Sequence, residues 1–248
     1  MEINRIILVI LIILASFSCK KAEERTCFKS TGEEAERELL VEFPIDSLYL
    51  NDNFSYLLVP DQEEYVLIQG GENVISFVSV DQSEGRIDIS NANKCNFLRS
   101  YSKEIVVEIH VNQIRYLEYT GGGSILATDT LNAPDFRLKI IDGGGPVDLT
   151  LESGYVESVI TEGYGNFTLR GKALGAFFLC QTNSFCNTNE LIVSGALEVM
   201  SNTGADMQVN ADGANLNARI GRKGNILYRG VPNQLSTVIL GEGEVLPQ

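Results

Sequence analysis

The chain has one histidine, His110, and that count limits the catalytic chemistry it can carry. A Ser/His/Asp or Cys/His site would have to be built on it, and a two-histidine metal motif is impossible. His110 alternates with Ile105, Val107, Ile109 and Val111, which reads as a solvated histidine on the polar face of a strand. Carboxylates are plentiful, with 33 Asp plus Glu, and a glycosidase needs two of them about 5 to 9.5 Å apart. Asp142 and Glu162 form the best candidate acid pair, both beside glycine corners, although acidic turn residues are ordinarily just solvated. The stretch Gly143-Gly144-Gly145-Pro146-Val147-Asp148-Leu149 approaches a calcium-roll motif, but Pro146 takes the third glycine position and no tandem copy follows. Phosphate-loop, dinucleotide and nucleophile-elbow motifs are missing from the sequence. These observations lead us to expect a non-enzyme without metal or cofactor.

The elements that must hold these residues show up as a repeat. At an interval of twenty stand Thr120, Ile140, Ile160, Cys180, Met200 and Ile220. A second stripe runs through Ile125/Ala127, Val147/Leu149, Phe167/Leu169, Met207/Val209 and Ile226/Tyr228, with glycine-rich corners between the stripes. Period-two alternation marks strands with one buried face, and glycine permits the sharp corners. A unit of about twenty residues is too short for a propeller blade or a helical hairpin repeat and fits one coil of a β-solenoid. The expected fold is all-β, a parallel β-helix with about 20 residues per coil, filling residues 31–248 as one domain. Residues 31–40 read either as a short helix or as an extended lead-in, and the first coil needs some cover for its open edge. Further strands are expected at 48–50, 56–59, 65–68, 74–80 and 87–89.

Residues 1–18 read as a signal peptide, with Arg5 ahead of an aliphatic run over 6–15 that is too short to span a bilayer. Ser16-Phe17-Ser18 leading into Cys19 resembles the lipobox of bacterial lipoproteins. That resemblance implies acylation of Cys19, with residues 19–30 as a polar tether. The charged stretch after Cys19 also resembles the surface-export signal of some Gram-negative lipoproteins, which implies an outer-membrane protein that can face outward. A net charge of −14 argues against nucleic acid as a partner and against adhesion to anionic lipid except through such an anchor. With Cys19 assigned to lipid, four cysteines remain and allow three pairings. The expected pairs are Cys27 with Cys95, closing a long loop worth about 4 kcal/mol in the chain-entropy model, and Cys180 with Cys186, pinning a local loop. The alternative for Cys180 is a free, buried member of the inward stripe.

Gly224-Asn225-Ile226-Leu227-Tyr228-Arg229-Gly230-Val231-Pro232, followed by Gly241-Glu242-Gly243, resembles the closing motif of the "putative auto-transporter adhesin, head GIN domain" family. Cys95-Asn96-Phe97-Leu98-Arg99-Ser100-Tyr101 and the opening Cys27-Phe28-Lys29-Ser30-Thr31-Gly32 look like a lipoprotein branch of it. The resemblance implies a right-handed parallel β-helix at the cell envelope and brings no catalytic residues. The leading expectation is therefore a lipid-anchored, adhesin-like protein presenting a surface to glycan or to another surface protein. Two rivals are a β-helical polysaccharide lyase or hydrolase using outward carboxylates, and a structural or envelope-sensing component.

Overall fold

The computed structural model describes residues 30–92 and 104–248. Its first part holds β1 (Glu34–Leu40), β2 (Ser47–Leu50), β3 (Ser55–Pro60), β4 (Tyr65–Gly71), the one-turn helix α1 (Glu72–Ile75), β5 (Val78–Ser83), β6 (Arg86–Asn91) and β7 (Val106–Val111). The regular part begins with β8 (Tyr116–Tyr119), β9 (Ile125–Ala127), β10 (Leu131–Asn132), β11 (Asp135–Ile140), β12 (Pro146–Ile160) and β13 (Asn166–Thr182). It continues with β14 (Phe185–Val193), β15 (Ala196–Thr203), β16 (Met207–Asn210), β17 (Asn215–Ile220), β18 (Ile226–Arg229), β19 (Gln234–Ile239) and β20 (Val245–Pro247).

These strands stack as a parallel β-helix with three faces. On the first face the order is β6, β2, β8, β11, the later half of β12, the later half of β13, β15, β17 and β19. The second face runs β7, β3, β9, the first turns of β12, β13 and β14, then β16, β18 and β20. A shorter third face joins β10 to the middle of β12 and β13 and the end of β14. At about 4.8 Å per layer the first face is roughly 40 Å long.

The inward columns are apolar and closed to water. Tyr119, Ile140, Ile160, Cys180, Ser201 and Ile220 succeed one another on the first face, each with no exposed surface. Two members of the sequence stripe are thereby corrected: Thr120 is exposed and Met200 points outward, because units of 21 residues intervene and a one-residue slip reverses a side chain's direction. On the second face Ile125, Val147, Phe167, Cys186, Met207 and Ile226 form the matching column. Cys186 and Thr188 fill the apparent gap in the second stripe, so this segment is an ordinary coil and not a pinned loop. At one corner a Cβ on Gly145 would lie 1.5 Å from the Gly123 carbonyl oxygen, so successive coils touch there through bare backbone.

The chain does not enter at the end of the ladder. β2 lies between β6 and β8, with Leu48 opposite both Ile87 and Leu117, and β3 lies likewise between β7 and β9. The chain thus lays its second layer first and leaves to build a cover. It then returns with β6 and β7 as the first layer and steps over β2 and β3 to β8. The cover is antiparallel: β4 on β7, β1 on β4, and β5 on β6. Residues 31–40 are therefore resolved as extended, since β1 is a strand. The expected strand over 74–80 is corrected to α1 followed by β5. Val74 and Ile75 are neighbours and both buried, which a helical turn permits and a half-buried strand does not.

Candidate binding face

His110 is buried, contrary to the solvated histidine expected from its strand. It is 8% exposed because the antiparallel cover places Tyr65 directly opposite it. The two rings stack with centroids 3.9 Å apart and planes 15° from parallel. His110 Nδ1 lies 3.0 Å from Asp61 Oδ2, and this contact is the leading cause that holds the Asp61 carboxyl below its usual range. Nε2 has no hydrogen-bond partner, and Glu108 stands 3.6 Å away. Among the described residues no serine or cysteine engages the ring.

Asp142 and Glu162 come together at one corner, where the Asp142 amide donates to the Glu162 carbonyl at 3.2 Å. Both side chains are exposed. Asp148, the acid of the calcium-like stretch, is engaged by Arg170, whose Nε also lies 3.3 Å from Glu190. Among the described residues no group of three or more His, Cys, Asp or Glu could hold a metal ion. Cys19, Cys27 and Cys95 lie outside the described residues. Cys180 and Cys186 are free, buried thiols facing each other across the corner between β13 and β14. Burial first, and then the hydrogen bond with Cys180, push the Cys186 thiol well above its ordinary range.

The densest arrangement of binding chemistry is on the outward side of the first face. One row there runs Arg86, Ser47, Tyr116, Arg137, Glu157, Phe177, Glu198. The next runs Asp88, Tyr49, Glu118, Lys139, Val159, Leu179, Met200. Parallel stacking sets successive side chains one strand spacing apart, which builds a nearly flat surface. The Arg86 guanidinium lies 3.5 Å over the Tyr49 ring, and Tyr49 packs on Tyr116 at 5.4 Å. Tyr116 donates to Glu118 Oε2 at 2.6 Å, and Lys139 Nζ reaches the same oxygen at 3.2 Å. Arg137 places both Nε and Nη2 3.0 Å from Glu157 Oε2. Shallow depressions of about 230 and 330 Å³ flank Arg137, the first walled by Tyr116 and Tyr155 and the second by Tyr116 and Lys139.

The charges of Arg86, Asp88, Glu118, Arg137, Lys139 and Glu157 are each held by a neighbour on this patch. Burial, followed by the bond to Glu118, pushes the Tyr116 phenol up, and burial likewise raises Tyr155. Such a surface offers fixed rings for stacking and fixed donors and acceptors beside them. Tyrosine and arginine are the residues that dominate recognition interfaces. The inward stripe drew attention away from this patch, yet its own signal was present: Tyr116, Arg137, Glu157 and Phe177 recur at the coil interval on the opposite parity.

The fold has solved counterparts. A structure described as a putative adhesin from Bacteroides fragilis NCTC 9343 superposes with a TM-score of 0.79 at 17% identity, covering 89% of this chain and 100% of that one. Another so described, from Parabacteroides distasonis ATCC 8503, gives 0.67 at 15% identity, with 88% and 99% covered. A structure described as a putative lipid binding protein from the same organism gives 0.63 at 15% identity, with 89% and 100% covered. At these identities the likeness establishes the fold. No curated protein matches the chain. The sequence itself fits the model of the "putative auto-transporter adhesin, head GIN domain" family over residues 45–232, from the first layer-forming strand to the Gly-x-Pro corner after β18, and the chain belongs to that family.

Proposed function

We propose that this chain is a non-catalytic, adhesin-like protein of the bacterial envelope, carried on the outer membrane by a lipid on Cys19. In this reading the first face of its β-helix binds glycan or another surface protein. The observation that carries the reading is the row Tyr116, Arg137, Glu157, flanked by Tyr49 and Tyr155, on a flat and open sheet. Its charges are paired and its rings fixed, so little ordering remains to be done on binding. A hydrolase or lyase would need a cleft around two acids, and Asp142 and Glu162 instead stand exposed on a convex corner. The family name supports an adhesin-like role at the cell surface.

A glycan array probed with the full chain, beside a pull-down from intact cell surfaces, tests the reading. Binding by either arm should fall at least tenfold in the Tyr116→Ala/Arg137→Ala double variant, and binding that survives it would move the site elsewhere. Anchoring is tested separately. Cys19→Ala should release the protein from the membrane fraction and abolish metabolic labelling with a fatty acid. Protease treatment of intact cells should cut the chain if it faces outward.

A further inference from the structure

The two ends of the ladder are built differently. At the β6/β7 end the edge is covered by antiparallel strands, and the outermost, β1, carries Glu34, Glu36, Arg37 and Glu38. Charged edge strands discourage further pairing. At the other end β19 pairs with β17 on one side and with no strand of the described residues on the other. Leu197 and Leu216 of one inward column are each 1% exposed, and the next member, Leu235, is 46% exposed. In the parallel column Ser201 and Ile220 show no exposed surface, and Ile239 shows 50%. All six residues of β19 are exposed. Residues 230–241 contain no charged side chain, in a chain whose net charge is −14. Along β19 itself, therefore, no like charges would meet when two copies approach edge to edge.

We infer that β19 is a self-docking edge, pairing antiparallel with β19 of a second copy about a two-fold axis at Thr237. The strand's own pattern selects the register. Leu235, Thr237 and Ile239 face the lumen, and Gln234, Ser236 and Val238 face out. Opposed residues of an antiparallel pair point to the same side of the sheet. Setting Thr237 against its own copy brings Leu235 against Ile239 on both sides and keeps lumen residues with lumen residues. A one-residue slip would set inward side chains against outward ones. Threonine pairs and aliphatic pairs across strands are favourable. The same rotation exchanges the other two faces, so β20 lies over residues 231–233 of the partner. That brings Leu246, 38% exposed, to Val231, 77% exposed.

Pro232 and Pro247 supply no amide hydrogen, which leaves β19 as the main source of ladder bonds. The contact is at the small end of specific interfaces, with an expected dissociation constant on the order of 10 µM. The described residues begin at Ser30, and the Thr31 carbonyl accepts from the Asn73 amide at the covered end, so in the pair the two copies of this start stand at opposite extremes. If Cys19 is acylated as proposed above, the two copies sit on facing membranes. That consequence rests on the anchoring, and the pairing does not.

Thr237→Cys in the full chain should yield a dimer on a non-reducing gel that reductant dissolves, well above the parent. Asn217→Cys, exposed one coil inward on the same face, should not. By sedimentation the parent should be mostly dimeric at about 100 µM, roughly tenfold above the expected constant. Leu235→Glu should be monomeric there with unchanged circular dichroism and melting. A monomeric parent, equal cross-linking at positions 217 and 237, or a dimer that survives Leu235→Glu would each overturn the inference.

Discussion

Two serines of the lumen should respond to the same substitution with opposite sign. Ser158 and Ser201 both lie in the first-face columns with no exposed surface. Ser201 Oγ donates to the Gly224 carbonyl at 3.2 Å, whereas Ser158 Oγ, set between Leu138 and Phe178, has no partner among the described residues. A buried, unsatisfied polar group costs about 1 to 3 kcal/mol, and a typical intact hydrogen bond contributes about 1 kcal/mol net. Removing one oxygen opens roughly 10 Å³, which at about 24 cal/mol per Å³ takes back only about 0.2 kcal/mol. Ser158→Ala should therefore stabilise the protein by about 1 kcal/mol, and Ser201→Ala should destabilise it by about the same amount. For a chain of this size that corresponds to shifts of roughly +3 and −3 °C in melting midpoint. Urea titration and thermal melts of parent and variants, compared by midpoint because repeat arrays need not unfold in two states, decide the matter. If both variants melt below the parent, the lumen account of Ser158 is wrong.

Other positions give independent checks. Gly145→Ala places a Cβ 1.5 Å from a backbone oxygen that cannot move aside, while Gly144→Ala meets nothing within 4 Å. The first should lose about 3 kcal/mol or more and the second almost nothing, as read by denaturant midpoints. The Asp61 carboxyl is held below its usual range by His110, so its stabilising contribution is present above the unfolded pKa of about 3.9 and lost as pH falls through the lower folded value. The stability difference between parent and Asp61→Asn should accordingly be steady near neutrality and shrink below about pH 4. Cys180 and Cys186 are fully buried, and the Cys186 thiol is pushed well up, so lack of access makes both inert and low thiolate content adds to this at Cys186. Alkylation should spare both in the native protein and modify both in denaturant, as mass spectrometry of peptides will show. Arg137→Ala removes an ion pair whose partners are 60% and 29% exposed, so it should cost less than about 1 kcal/mol while weakening binding, a split that separates recognition from folding.

The architecture was legible because a solenoid writes its lumen into the sequence once per coil. Ile140, Ile160, Cys180 and Ile220 fell on an interval of twenty and all are fully buried. The interval misled where coils run to 21 residues, at Thr120 and Met200. It was silent for β2 and β3, whose partners in β8 and β9 are about seventy residues on; the hydrogen bond from Thr120 to Asn51 bridges 69 positions. No local periodicity can encode that step, because the intervening chain is spent on the cover. The antiparallel cover was equally hidden, and with it the burial of His110 beneath Tyr65. A strand's alternation states which side is polar and not whether another strand will lie over it.

The binding face was less legible for a related reason. In a β-helix the lumen demands apolar residues at every coil, so its column repeats in type as well as position. The outward rows meet no such demand, and Tyr116, Arg137, Glu157 and Phe177 share a place in the coil without sharing a chemistry. Their common interval shows in the sequence, but their contacts appear only once the registers are known, when Arg137 falls beside Glu157 and Tyr116 beside Tyr49. The same freedom suits these rows to recognition. The coil is held by Tyr119, Ile140 and Ile160 behind them, so the side chains in front can be exchanged to fit a ligand without disturbing the stack. β19 has both sides exposed because no further layer of the described residues lies beyond it. There the lumen column and the outward row reach solvent together, and the pattern that elsewhere joins one coil to the next is left free to meet a second molecule.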